Sequence, residues 1–100
     1  MIVITHEKGR ITIEGHAGYA PHGQDIVCAA VSTLVQTFYL SVKELTQDEI
    51  TADMAAGKAV IEYGKLSGDA QTLLASFFIG CEMIATEYPN NVRIAQAWKA

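Results

Sequence analysis

The chain has 100 residues, half of them hydrophobic, and a formal net charge of −4. That is the size of one domain, residues 1–100, with apolar content enough for a core that needs no disulfide or metal staple. Seven Lys and Arg are scattered among eleven Asp and Glu, which excludes a basic phosphate-binding surface and with it a nucleic-acid partner.

Ile2 to His6 and Arg10 to Glu14 are rich in β-branched residues and flank Glu7-Lys8-Gly9, the pattern of a hairpin. Ile11 and Ile13 share one face of the second strand and Thr12 takes the other. Gly18, Pro21 and Gly23 then punctuate a loop from Gly15 to Gln24. Asp25 offers an N-cap oxygen, and Val27, Val31, Leu34, Val35, Phe38, Val42 and Leu45 recur at helical spacing. A helix is expected from about Asp25 to Leu45. Its β-branched residues weaken intrinsic propensity, so burial must carry it.

Glu49 to Met54 alternates Ile50, Ala52 and Met54 with Thr51 and Asp53, as a half-buried strand does. Ala56-Gly57-Lys58 turns the chain into a partner strand, Ala59 to Tyr63. After a loop from Gly64 to Gly68, Asp69 begins a second helix. Its apolar face comprises Ala70, Leu73, Leu74, Phe77, Cys81, Ile84, Ala85 and Tyr88, and Pro89 ends it. Val92 to Ala97 reads as a last short strand. The order ββαββα(β) predicts an α+β fold: a two-layer sandwich in which two helices cover one face of a four- or five-stranded sheet.

No apolar run approaches the roughly 18 residues of a membrane span. Met1 to Glu7 shows neither a basic segment nor a cleavable apolar stretch. A cytoplasmic chain without membrane attachment is expected, with Cys28 and Cys81 free rather than paired. His6 reads as a strand-end residue and Cys81 as core.

The chemistry concentrates between Gly15 and Ser32. His16 ends a strand twelve residues before Cys28, and Cys28 is the third helical residue if Asp25 is the cap. A helix start and a nearby imidazole both favour a thiolate, so the pair forms a candidate nucleophile and base. N–H groups at the helix start are candidate oxyanion donors. Ser32, one turn after Cys28, shares its face and is placed to hydrogen-bond into the site. Each residue also has a plain reading: Cys28 as a small buried hydrophobe, His16 as a hydrogen-bonded loop residue, Asp25 as a cap and Ser32 as a tolerated helix residue. His22 is a second candidate base. A metal would need His16 and His22 joined by Asp25 and Cys28, and the spacing resembles no structural zinc pattern; neither metal nor cofactor is expected.

The blocks Gly15-His16-Ala17 and Asp25-Ile26-Val27-Cys28-Ala29-Ala30-Val31-Ser32, separated by seven residues, closely resemble the motifs of the ribosomal-processing cysteine protease family, Prp. The helix from Phe77 to Tyr88 is similar to that family's C-terminal helix. The resemblance implies a thiol protease, a peptide hydrolase that removes the N-terminal extension of large-subunit ribosomal protein twenty-seven during ribosome biogenesis. The expected cut follows an apolar, aromatic-ended segment and precedes a small residue. It implies a homodimer, with Cys28 the nucleophile and His16 the general base. Gly15, Ala17, Asp25 and Ser32 support the site, and Gly18, Tyr19, His22 and Gly23 belong to a lid over the substrate. Pro21 and His22 match no family feature, and the first hairpin is short. A prophage-type homologue acting on phage structural proteins is therefore one alternative. A non-catalytic ribosome-assembly binding module is another, as is a redox or acyl-transfer protein.

Overall fold

Residues 1–96 are described by the structure, a computed structural model. Seven elements follow in the order β1 (Ile2–Glu7), β2 (Arg10–Glu14), α1 (Ile26–Leu45), β3 (Ile50–Ala55), β4 (Lys58–Tyr63), α2 (Gly68–Glu87) and β5 (Val92–Gln96). The expected last strand is present, and its final expected residue, Ala97, lies outside the described residues.

The five strands form one sheet in the order β3-β4-β2-β1-β5. All neighbours are antiparallel except β1 and β5, which run parallel, with Ile2 opposite Val92. The register aligns apolar residues across the inner face: Ile4 opposite Ile13, Ile11 opposite Ile61, and Ile61 opposite Ala52. These side chains meet Val27, Val31, Val35, Phe38 and Val42 of α1 and Ala70, Phe77, Cys81 and Ile84 of α2 in a single core. Phe38 and Phe77 join the helices with ring centroids 5.3 Å apart. The other sheet face carries Thr5, Thr12 and Val60, together with exposed ion pairs Arg10–Glu62 and Lys58–Glu14. Alternation along each strand thus separates the two faces.

By length and composition α1 is apolar enough to cross a membrane, with a mean hydropathy of 1.5. Here its valine and phenylalanine stripe packs into the core instead. Some expected core positions are on the surface. Leu45, in the last turn of α1, is 69% exposed, and Met54, near the end of edge strand β3, is 43% exposed. Among the described residues neither position has a further element to cover it: α1 ends at Leu45, and β3 has a neighbour on one side only. His6 departs in the other direction. It is buried on the inner face of β1, stacked on Phe78 and bonded through Nε2 to the Tyr63 hydroxyl. α2 begins one residue early, capped by the Ser67 hydroxyl, which accepts from Ala70 N–H.

The register also gathers chain segments at one end of the sheet. Val3 lies opposite Glu14, Glu14 opposite Lys58 and Ile2 opposite Val92. The exit from β2, the β3–β4 turn, the entry to β5 and the start of α1 therefore converge there.

Candidate active site

Asp25 caps α1 as the sequence predicts, in an extended conformation, and Cys28 is the third helical residue. The carboxylate is used twice. Oδ1 accepts from Val27 N–H at 3.0 Å and Cys28 N–H at 2.9 Å, while Oδ2 accepts from Tyr19 N–H at 3.0 Å and Ala20 N–H at 3.2 Å. One side chain therefore starts the helix and fastens the loop. These donors, that of Cys28 foremost, hold the carboxyl below its ordinary value of 3.8, outweighing the desolvation that opposes them.

A depressed carboxylate pKa contributes stability above the unfolded value, and that contribution is lost as pH falls through the folded one. Loop fastening is therefore expected to weaken on acidification below 3.8. Asp25→Asn separates the two uses at neutral pH. An amide keeps Oδ1 on the helix but turns a donor toward the N–H groups of Tyr19 and Ala20. Hydrogen exchange is expected to accelerate at Tyr19 and Ala20 while Val27 and Cys28 stay protected. Equal acceleration at all four would show that the carboxylate holds them as one unit.

His16 is exposed and follows β2 through Gly15. Gly15 has φ +100, and a Cβ there would stand 2.2 Å from the Met1 carbonyl oxygen. Its N–H donates to the Gly57 carbonyl at 2.8 Å, tying the exit of β2 to the β3–β4 turn. Gly57, at φ +75, also seats the imidazole: a Cβ built on it would lie 2.9 Å from His16 Nε2. Ala17 is buried. Its N–H donates to Cys28 Sγ at 3.3 Å and its carbonyl accepts from Asn91 Nδ2 at 2.9 Å.

His16 and Cys28 line the same open cleft of about 520 Å³, together with Gly18, Ala20, His22, Gly23, Asp25, Ala29 and Ser32. A second groove of about 360 Å³ adjoins it between α1 and the β3–β4 hairpin. Its walls are largely apolar, from Ile2, Ile13, Val31, Val35 and Met54 among others, and it shares His16, His22, Cys28 and Ser32 with the first. Cys28 is thus partly accessible at the junction of two grooves that His16 also lines.

One expectation changes, and two of the expected site residues have partners of their own. Val27 and Cys28 N–H groups are committed to Asp25, so the helix start does not offer them to an oxyanion. The Ser32 hydroxyl oxygen lines the cleft but accepts from Gln36 Nε2 at 2.8 Å. Tyr19 packs edge-on against Tyr88, ring centroids 5.4 Å apart, and is not among the cleft-lining residues. Sequence reading missed Gly57 and Asn91 as parts of this site. Gly57 was legible only as a turn residue, and nothing near Asn91 signals a bond to Ala17. Among the described residues no three His, Cys, Asp or Glu side chains are grouped to hold a metal ion.

A model of the family described as cysteine protease Prp matches residues 1–93. The chain belongs to the cysteine protease Prp family. It is 31% identical over 99 residues to the Bacillus subtilis ribosomal processing cysteine protease Prp, covering 90% of this chain and 88% of that protein. The Staphylococcus aureus Prp (strain Mu50) is 28% identical over 98 residues, covering 92% of each. The fold agrees too. A Streptococcus mutans crystal structure superposes with a TM-score of 0.84 at 26% identity, covering 99% of this chain and 96% of that one. The S. aureus Prp in complex with a covalently linked product peptide also gives 0.84, at 24% identity, covering 96% and 97%. As a Prp family member the chain is a cysteine protease, a peptide hydrolase.

Proposed function

We propose that this protease removes the N-terminal extension of large-subunit ribosomal protein twenty-seven, with Cys28 as nucleophile and His16 as general base. The observation that carries the reading is the junction of the two grooves, where both side chains meet the same space beside a helix start. The relatives support the substrate class, since the B. subtilis protein is named for ribosomal processing and the S. aureus one binds a substrate peptide.

In this mechanism His16 takes the proton of the Cys28 thiol, and the thiolate attacks the peptide carbonyl carbon. The carbonyl π pair moves onto oxygen. On collapse the C–N bond breaks, His16 gives the proton to the leaving amine, and water resolves the thioester. Asp25 fixes the loop that carries His16 relative to the helix that carries Cys28. Gly15 and Ala17 hold the backbone on either side of the base. Ser32 and His22 line the substrate path. Gly18 and Gly23, both at positive φ, bracket a segment that closes over the peptide as a lid. The enzyme acts in the cytoplasm as a homodimer.

The test is mass spectrometry of full-length ribosomal protein twenty-seven from the same organism after incubation with this protein. A single cut near the N-terminus, absent with Cys28→Ala, is the expected result. An intact substrate, with both proteins folded, would overturn the substrate assignment.

A further inference from the structure

Thiolate attack on a peptide bond needs an N–H donor where the carbonyl oxygen becomes negative, and the helix N–H groups of Val27, Cys28 and Ala29 do not supply it. Val27 and Cys28 N–H groups are held by Asp25 Oδ1, and Ala29 N–H donates to the Asp25 carbonyl at 3.1 Å. A different N–H already faces the reacting atom, that of Ala17, 3.3 Å from Cys28 Sγ. Ala17 is held from its other side by the Asn91 side chain, whose Nδ2 donates to the Ala17 carbonyl. Asn91 is anchored in turn by its own backbone, through N–H to the Tyr88 carbonyl at 3.0 Å and through its carbonyl to Ile2 N–H at 2.8 Å.

We propose that the Ala17 N–H is the oxyanion donor of this protease, and that Asn91 is the positioning residue that holds it at the sulfur. This rests on the assignment of Cys28 as nucleophile. In the free enzyme the N–H is occupied by sulfur. As the C–S bond forms, the π pair of the carbonyl moves onto oxygen. That oxygen arrives beside the sulfur and takes over the hydrogen bond, which is stronger to an oxyanion than to sulfur. When the C–N bond breaks, the pair returns to the carbonyl and the N–H is released. The base and the donor are adjacent residues, so one anchored segment sets both against the nucleophile.

The placement of Asn91 makes the idea separable from folding. The bonds made by its main chain survive any side chain at that position, whereas the Ala17 bond needs an amide donor. Asn91→Ala removes the donor. Asn91→Asp is nearly isosteric and sets an acceptor against the Ala17 carbonyl. Three readouts apply to each variant and the wild type: cleavage of a synthetic peptide spanning the ribosomal extension, affinity for a peptide aldehyde, and the rate of Cys28 alkylation by iodoacetamide. The aldehyde adds to the thiol as a tetrahedral adduct and reads oxyanion stabilisation. Iodoacetamide develops no oxyanion and reads only the nucleophile.

Both variants are expected to lose about 10- to 100-fold in kcat with KM little changed, and aldehyde affinity falls in parallel. Alkylation is expected to fall by much less than kcat, since the nucleophile loses only the N–H bond to sulfur, which is weaker than the bond to an oxyanion. An equal fall in alkylation would overturn the proposal by placing the effect on the thiolate. Unchanged kcat and aldehyde affinity in both variants would overturn it as well. A wild-type protein that leaves the peptide uncut refutes the substrate assignment alone, because aldehyde binding at Cys28 still decides the role of Ala17 and Asn91.

Discussion

Cys28→Ala is expected to lower peptide cleavage at least about 10⁴-fold, whereas Cys81→Ala keeps turnover close to wild type and only lowers the melting temperature. The two thiols differ by place in the fold. Cys28 is half-buried where two grooves meet, with an N–H directed at its sulfur. Cys81 is fully buried in the core on α2, and burial, with a smaller push from Glu82, raises its thiol to about 12. At pH 7 a thiol of that pKa is thiolate in only about one molecule in 10⁵. Iodoacetamide followed by peptide mapping is therefore expected to label Cys28 long before Cys81 in the folded protein. Comparable labelling rates, or cleavage surviving in purified and folded Cys28→Ala, would remove Cys28 from the reaction.

Gly57→Ala is expected to cost about 100-fold in kcat/KM, the scale at which a misplacement of about 1 Å is felt in catalysis. The new methyl group would enter the space that the His16 ring occupies, and the ring must tilt out of it. The backbone at φ +75 adds a second cost, strain, which weakens the fold without regard to chemistry. Gly9→Ala isolates that cost. Gly9 sits in the β1–β2 turn at φ +77, and its Cβ would meet the Tyr63 carbonyl oxygen at 3.0 Å, with no His16 atom near. Both variants lose stability. Only Gly57→Ala is expected to change the pH dependence of kcat/KM, because only there is the proposed base displaced. Parallel losses and matching pH profiles would reduce Gly57 to a turn residue.

The fold was largely legible because its signals are local. Apolar spacing marked both helices, alternation marked the strands, and Pro89 marked the end of α2. The site's motif was equally local, since loop, cap and Cys28 lie within one stretch from Gly15 to Ser32. What escaped depends on strands that meet only in three dimensions. His6 is a polar residue at a strand end until Phe78 and Tyr63, from α2 and β4, are seen to enclose it. The second use of Asp25 was hidden because a cap predicts bonds forward into its helix and not backward onto Tyr19 and Ala20. Family membership and the activity class followed from the motif, and the family model matches residues 1–93. Leu45 and Met54 fit the periodicity of their elements yet are exposed, with no neighbour among the described residues to bury them.

Pairing the first strand with the last has a consequence for how the enzyme is born. β1 leaves a ribosome well before its neighbour β5 and the amide of Asn91. Until then Ile2 N–H has no Asn91 carbonyl to meet, and the segment carrying His16 and Ala17 lacks its anchor from behind. Contacts so distant along the chain form late in folding. His16 and Cys28, the proposed base and nucleophile, are made before Asn91, and the anchor behind the His16 segment is complete only once Asn91 arrives. A nascent copy is therefore expected to gain activity only once Asn91 has emerged, while it is still within reach of the ribosome whose protein it is proposed to cut.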